Sequence, residues 1–104
     1  MEQLSYFLSK LCGDIFKLLP MKEAEIELGV INHIPEYLEN LIFNTKGALV
    51  TYPELKCEKS YLYVINNLNY LYANKVDFMK WRRTILNSTK SIGKLANQFG
   101  GKVI

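Results

Sequence analysis

The sequence contains no apolar run approaching the roughly 18 residues that a membrane-spanning helix requires. Its N-terminal stretch MEQLSYFLSK also lacks the basic start, apolar segment and small-residue cleavage site of a secretory signal peptide. We therefore expect a cytosolic protein. Cysteine is scarce as well. Cys12 and Cys57 stand far apart without CxxC spacing, and this favours two free thiols in the core over a disulfide.

Side chains that could carry out chemistry are few. The single histidine, His33, has no second imidazole or thiolate at metal-ligand spacing, so we predict a polar surface residue. Glu23 and Glu27 lie one helical turn apart, but without paired histidines they indicate a solvated helix face. There is no glycine-rich phosphate loop, GxSxG or HExxH motif. We predict that the protein is not an enzyme and that it binds no metal and no cofactor.

What the sequence does contain is helical periodicity over the length of one domain, residues 1–104. Apolar residues at steps of three and four predict a first helix from Gln3 to Leu19, which Pro20 closes. A second apolar series runs from Ile26 to Ile42 with Pro35 inside it. Proline removes a backbone donor, so we expect either a kink or two helices with Pro35 near the first turn of the second.

We expect the second helical region to stop at Gly47 and residues 47–56 to form the longest loop. Thr51 and Pro53 suit the start of a third helix that ends near Asn74. Its predicted buried stripe consists of Leu55, Leu62, Ile65, Leu68 and Tyr72.

Asp77 is a suitable N-cap for a fourth helix, which Gly100-Gly101 ends. The predicted apolar face of this helix consists of Phe78, Trp81, Ile85, Ile92, Ala96 and Phe99, and we expect Phe78 and Trp81 to be its structural anchors. The short connection from Asn74 to Asp77 requires the last two helices to lie antiparallel. Four amphipathic helices without a strand pair predict an all-α protein, an antiparallel four-helix bundle whose second helix is kinked or broken at Pro35.

The charge is unevenly distributed along the chain. Residues 1–74 hold six lysines against nine acidic residues, whereas residues 75–104 hold seven basic residues against Asp77 alone. Helical spacing places the basic residues of the last helix, with one asparagine among them, on a single face: Lys80, Arg83, Asn87, Lys90 and Lys94. The row could be a solvated helix face, or it could meet an anionic partner: nucleic acid, an anionic membrane surface or an acidic protein. The pattern leaves both interpretations open.

The seven tyrosines, of which Tyr61, Tyr63, Tyr70 and Tyr72 fall in the third helix, could suggest a platform for stacking bases. Their spacing spreads them around that helix, however, which favours packing in the core and at its rim.

From Asn74 onward, over about 25 residues, the chain resembles the class IIa (pediocin-like) bacteriocin immunity proteins, especially the enterocin A type. The resemblance rests on an aromatic-rich third helix that ends in Asn74-Lys75, followed by Val76, Phe78 and an aromatic residue at Trp81. Leu86-Asn87, Ser91-Ile92-Gly93 and Lys94 fall in the same register. The N-terminal half is longer than in that family, and the tail after Phe99 is shorter.

The resemblance implies a four-helix protein of the cytoplasm, partly associated with the inner face of the membrane, that gives resistance to an antimicrobial peptide. Such proteins engage the mannose phosphotransferase permease once bacteriocin has bound it, and keep the resulting pore closed. On this basis we expect the last helix and the tail to be the binding surface. Its cations, Lys80, Arg83, Lys90, Lys94 and Lys102, would serve electrostatic approach, Asn87 fills the gap in their row, and Val103 and Ile104 would be apolar contacts.

Two other classes of function stay open. A small nucleic-acid-binding regulator could use the same basic helix, although the acidic first 74 residues argue against nucleic acid as the partner. A structural or oligomerisation domain would carry the basic row only as a solvated face.

Overall fold

The computed structural model describes residues 2–29 and 34–100. Within these ranges the chain is all-helical and contains no strand. The helices are α1 (Glu2–Phe16), α2 (Leu18–Leu28), α3 (Ile34–Thr51), α4 (Lys59–Ala73) and α5 (Phe78–Gln98), with a 3₁₀ helix (Pro53–Cys57) between α3 and α4. None of the described helices has the length and apolar character needed to cross a bilayer. His33 lies outside the described residues.

The predicted end of the first helix at Pro20 is wrong. The interruption comes earlier, at Lys17, and Pro20 is the third residue of α2. Proline has no N–H to donate to the carbonyl of Phe16, four residues before it, and its ring crowds that carbonyl. The Lys17 N–H donates to the Gly13 carbonyl at 3.1 Å, and the Lys17 carbonyl accepts from the Met21 N–H at 3.4 Å. The chain therefore bends at one residue and stays helical.

The second helical region is divided into two helices, as one of the two alternatives at Pro35 predicts. Gly29 ends α2 with a φ of 64°, a left-handed conformation that glycine adopts without steric cost. Pro35 is the second residue of α3, where a missing N–H costs nothing because that group would have no helical partner.

The predicted stop at Gly47 and the predicted loop after it are wrong. Helix α3 continues to Thr51 because Leu41, Thr45 and Ala48 lie on one buried stripe that spans the glycine. The Tyr52 N–H then donates to the Ala48 carbonyl at 2.7 Å and closes the helix. Burial of the helix face therefore outweighs the weak helix propensity of a single glycine.

The predicted start of the third helix at Thr51 is also wrong, because the 3₁₀ helix precedes α4 and Glu58 in an extended conformation separates the two. Leu55 is buried, but in the 3₁₀ helix. A stripe extrapolated from Leu55 is therefore out of register, and Leu62 and Tyr72 are exposed. The buried residues of α4 are Tyr61, Val64, Ile65, Leu68 and Leu71. The helix ends at Ala73 with Asn74 as its C-cap, as expected.

Helix α5 begins as predicted. The Asp77 carboxylate accepts a hydrogen bond from the Lys80 N–H at 2.9 Å. Phe78 and Phe99 are only half-buried. The buried face of α5 consists of Trp81, Ile85, Ser88, Ile92, Leu95 and Ala96.

Helices α1 and α4 both pack against α5, and the two hydrogen bonds on the α1 side join residues that follow in opposite order along the two helices. On the α1 side, Ser5 Oγ donates to the Ala96 carbonyl at 3.5 Å and Cys12 Sγ to the Thr89 carbonyl at 3.4 Å. On the α4 side, Asn67 Nδ2 donates to Ser88 Oγ at 2.9 Å.

Helix α3 contacts α4 on one side and α1 on the other. The buried Tyr61 hydroxyl donates to the Thr45 carbonyl at 2.6 Å, and the Tyr37 hydroxyl donates to the Asp14 carbonyl at 2.7 Å. Among the described residues no Cα atom of α1 lies within 8 Å of one in α4, and none of α3 lies within 8 Å of one in α5. The helices therefore follow one another around a common core in the order α1, α5, α4, α3.

Both cysteines are free, as expected, but only one of them contributes to packing. Cys12 is half-buried, and this burial raises the pKa of its thiol. Cys57 is exposed at the end of the 3₁₀ helix, so its predicted place in the core is wrong.

Candidate binding surface on helix α5

The basic residues of α5 lie on the side of the helix that faces away from the core. At about 100° per residue, the row is centred roughly opposite Trp81, Ile85 and Ile92. All five described members of the row are exposed: Lys80, Arg83, Asn87, Lys90 and Lys94. With a rise of about 1.5 Å per residue, the row extends over about 21 Å. We call these five residues the cationic face.

No described carboxylate forms an ion pair with a cation of the cationic face. The ion pairs among the described residues are Lys17 with Asp14 at 3.6 Å and Lys22 with Glu25 at 3.5 Å, both on the α1–α2 segment. The chain has no acidic residue after Asp77, whose carboxylate accepts from the backbone at the start of α5. The positive potential of the face is therefore directed into solvent.

Helix α4 extends this surface and adds residues that the sequence pattern does not assign to the site. Tyr63 and Tyr70 are about two-fifths exposed, and they flank Asn67 by one turn on either side. Since Asn67 bonds to Ser88 of α5, both tyrosines lie along the α4–α5 seam, beside the cationic face. Residues 59–76 contain no acidic residue. The spacing of seven between the two tyrosines, together with this lack of carboxylates, is the sequence signal that could have identified them.

Trp81 anchors α5 from the buried side. Its indole is 3% exposed, and its Nε1 donates to the Leu18 carbonyl of α2 at 3.4 Å. The Lys22 ammonium stands 5.0 Å from the ring centroid, in the range of a cation–π contact. Trp81 therefore ties α5 to α2, whereas Phe78, the other predicted anchor, is only half-buried.

One acidic residue of α3, Glu39, contacts α4. The Tyr72 hydroxyl donates a hydrogen bond to the Glu39 carboxylate, and this bond is the main reason that the pKa of Tyr72 is raised. The contact joins α3 to α4. Another carboxylate, Glu58, accepts a hydrogen bond from Gln98 Nε2 of α5 at 3.1 Å.

Three predicted members of the site, Lys102, Val103 and Ile104, lie outside the described residues. The described part of the site is thus a surface formed by exposed cations, amides and phenols. Such a surface can attract and hold an anionic partner by charge and hydrogen bonding.

Comparison of the chain with sequence profiles of protein families, with curated proteins and with solved structures finds no match in any of the three.

Proposed function

We propose that the chain is a bacteriocin immunity protein of the class IIa type, built as an antiparallel four-helix bundle, with the cationic face of α5 as its working surface. The observation that carries the proposal is the row of Lys80, Arg83, Lys90 and Lys94, all exposed and without a described acidic partner. Its support from sequence is the resemblance from Asn74 onward.

The bundle is supported by the order of the contacts around the core and by the opposite order, along α1 and α5, of the residues that join these two helices. In this arrangement α5 packs between α1 and α4 and presents its remaining side to solvent. A straight, supported helix holds the cations at fixed spacing, so they do not have to be ordered when a partner binds.

The proposed partner is the mannose phosphotransferase permease carrying bound bacteriocin, approached from the cytoplasmic side. The negative surface potential of the inner leaflet attracts Lys and Arg by about 1 kcal/mol per residue near the surface. The same face would then contact the cytoplasmic loops of the receptor. Higher affinity for the bacteriocin-loaded state than for the free permease would hold the pore closed, because a ligand shifts an equilibrium only by its differential affinity.

Expression in a bacteriocin-sensitive strain tests this proposal. Cells carrying the chain should survive at least one class IIa bacteriocin at concentrations that kill cells with an empty vector. Equal killing by every peptide of a broad class IIa panel, at confirmed expression, would contradict it.

A nucleic-acid-binding regulator is the second candidate, and the position of Tyr63 and Tyr70 beside the cations favours it. Phenol rings next to basic side chains are typical of surfaces that bind single strands by stacking. A gel-shift titration with single-stranded and duplex DNA should show affinity that falls steeply with salt, by a log–log slope of roughly −0.7 to −0.9 per phosphate neutralised. The absence of a retarded species at moderate salt would exclude this candidate.

A further inference from the structure

The contact between α1 and α3 is open on its outer side. The Tyr37 to Asp14 hydrogen bond joins these helices, and the ring of Phe7 packs near that of Tyr52, the residue after α3, with 5.8 Å between the ring centroids. Between these two contacts lies a cleft of about 430 Å³. It is on the opposite side of the molecule from the α4–α5 seam, since the helices follow the order α1, α5, α4, α3 around the core.

The cleft is mainly apolar and is open beside Gly47. Phe7, Leu41 and Tyr52 line it. Gly47 of α3 also lines it, and nothing lies within 4 Å of the position that a Cβ atom on this glycine would occupy. The cleft can therefore accept an apolar side chain without displacing any atom of the protein.

A large apolar side chain stands at the rim of the same cleft. Phe43 lines the cleft and is 77% exposed, so its ring is open to solvent in the isolated chain. Phe43 and Gly47 are one helical turn apart on α3. The exposed ring of Phe43 and the open cleft beside it thus lie on one face of the molecule. A contact about a two-fold axis requires such complementary features on the same surface.

The charges of the cleft favour a second copy as the partner. The charged residues that line it are one cation, Lys10, and one anion, Asp14, which also pairs with Lys17, so the lining has no large excess of charge of one sign. Two copies that met through the cationic faces of α5 would bring like charges together. Contact through the α1–α3 side leaves both cationic faces outward and far apart.

We propose that the α1–α3 cleft is a homodimer interface in which Phe43 of each copy enters the cleft of the other, over Gly47. In the dimer the Phe43 ring of each copy is removed from solvent and fills the cleft of the other copy. This inference is independent of the proposed immunity function, because the cleft shares no residue with the cationic face.

Sedimentation equilibrium of the full chain tests the proposal. The weight-average mass should rise with concentration from 12.1 kDa towards twice that value, with a dissociation constant on the order of micromolar to tens of micromolar. Gly47→Leu places a side chain in the cleft, and Phe43→Glu replaces the entering ring by a charge. Each variant should weaken association by about tenfold or more.

Met79→Glu is the control, since Met79 is a 65% exposed apolar residue of α5 that does not line the cleft. It should change the dissociation constant by less than about threefold. Circular dichroism of every variant confirms that the helices are retained. A wild-type chain that stays monomeric at about 1 mM would overturn the proposal. So would a dimer that both cleft variants leave intact, or one that Met79→Glu disrupts equally.

Discussion

At the scale of single residues, a few buried side chains bind separate helices together. Trp81 is the clearest case, because its ring fills space between α5 and α2 while its N–H satisfies the Leu18 carbonyl. Tyr61 does the same between α4 and α3, with its ring fully buried and its hydroxyl bonded to Thr45. Both residues combine a large apolar surface with one satisfied polar group.

Trp81→Ala should lower the free energy of unfolding by about 3–5 kcal/mol, because truncation of a buried Trp loses transfer energy and leaves a cavity. Urea unfolding followed by circular dichroism measures this loss. Met79→Ala is the control, two residues away and 65% exposed, and should cost less than about 1 kcal/mol. Equal stabilities of the two variants would contradict the placement of the indole.

Tyr61 should make the fold sensitive to alkaline pH. Burial raises the pKa of its hydroxyl above the value of about 10 that it has in the unfolded chain. The native state therefore keeps a proton that the unfolded state loses above pH 10. The stabilising contribution is fully present below that pH and is lost as the pH rises further, by up to about 1.4 kcal/mol per pH unit.

Tyr61→Phe removes this titration. Its free energy of unfolding, measured by urea titration from about pH 9 to 12, should fall less steeply than that of the wild type. Tyr63→Phe, at a partly exposed position on the same helix, is the control and should follow the wild-type curve. If the free energy of unfolding falls equally steeply with pH in Tyr61→Phe and in the wild type, burial of the hydroxyl does not perturb its titration.

At the scale of helices, the boundaries depend on caps and on packing. The cap at Asp77 is formed by local chemistry, one carboxylate on the Lys80 N–H. Asp77→Ala should cost about 0.5–2 kcal/mol, and Asp77→Ser should restore most of the loss, because serine also accepts from this backbone group. Thermal unfolding at neutral pH compares the variants. An alanine variant as stable as the wild type would contradict a role for this cap.

Gly47 contrasts with Asp77, because α3 continues through Gly47 owing to packing of the helix and not to a local signal. Gly47→Ala should raise the free energy of unfolding by about 0.5–1 kcal/mol, since the residue is inside α3 and an added Cβ meets no atom. Gly29→Ala is the contrasting variant. With a φ of 64°, this position should lose stability on the same substitution. Destabilisation by Gly47→Ala would indicate that the helix ends there after all.

The same contrast explains how much of the fold the sequence predicts. The start of α5 and the end of α4 could be located because Asp77 and Asn74 are local signals. The continuation of α3 past Gly47 could not, because it depends on burial of Thr45 and Ala48 against neighbouring helices. The register of α4 was missed since Leu55 belongs to a separate 3₁₀ helix.

The candidate site follows this division as well. The cationic face of α5 could be predicted because helical spacing alone aligns its members and an apolar stripe marks the other side. The spacing of Tyr63 and Tyr70 indicates that they share one side of α4, but it does not indicate whether that side packs against α5. The Asn67 to Ser88 contact fixes that side.

At the scale of the whole molecule, the two broad surfaces differ in chemistry. The α4–α5 side carries cations, amides and phenols without an acidic residue between Lys59 and Val76 or after Asp77. The α1–α3 side carries an apolar cleft with one charge of each sign. This separation is the reason that we propose an anionic partner for the first surface and a second copy of the chain for the second.

The central claim, that the cationic face is the working surface, is tested most directly by charge reversal in the killing assay. Sensitive cells expressing the wild-type chain are compared with cells expressing a variant in which Lys80, Arg83 and Lys90 are changed to Glu. A control variant reverses three exposed lysines outside α5, at Lys17, Lys46 and Lys56, and thus has the same overall shift in charge. We predict that the α5 variant, folded and expressed at the wild-type level, loses protection, whereas the control keeps it. Full protection by the α5 variant, or equal loss in both variants, would contradict the claim.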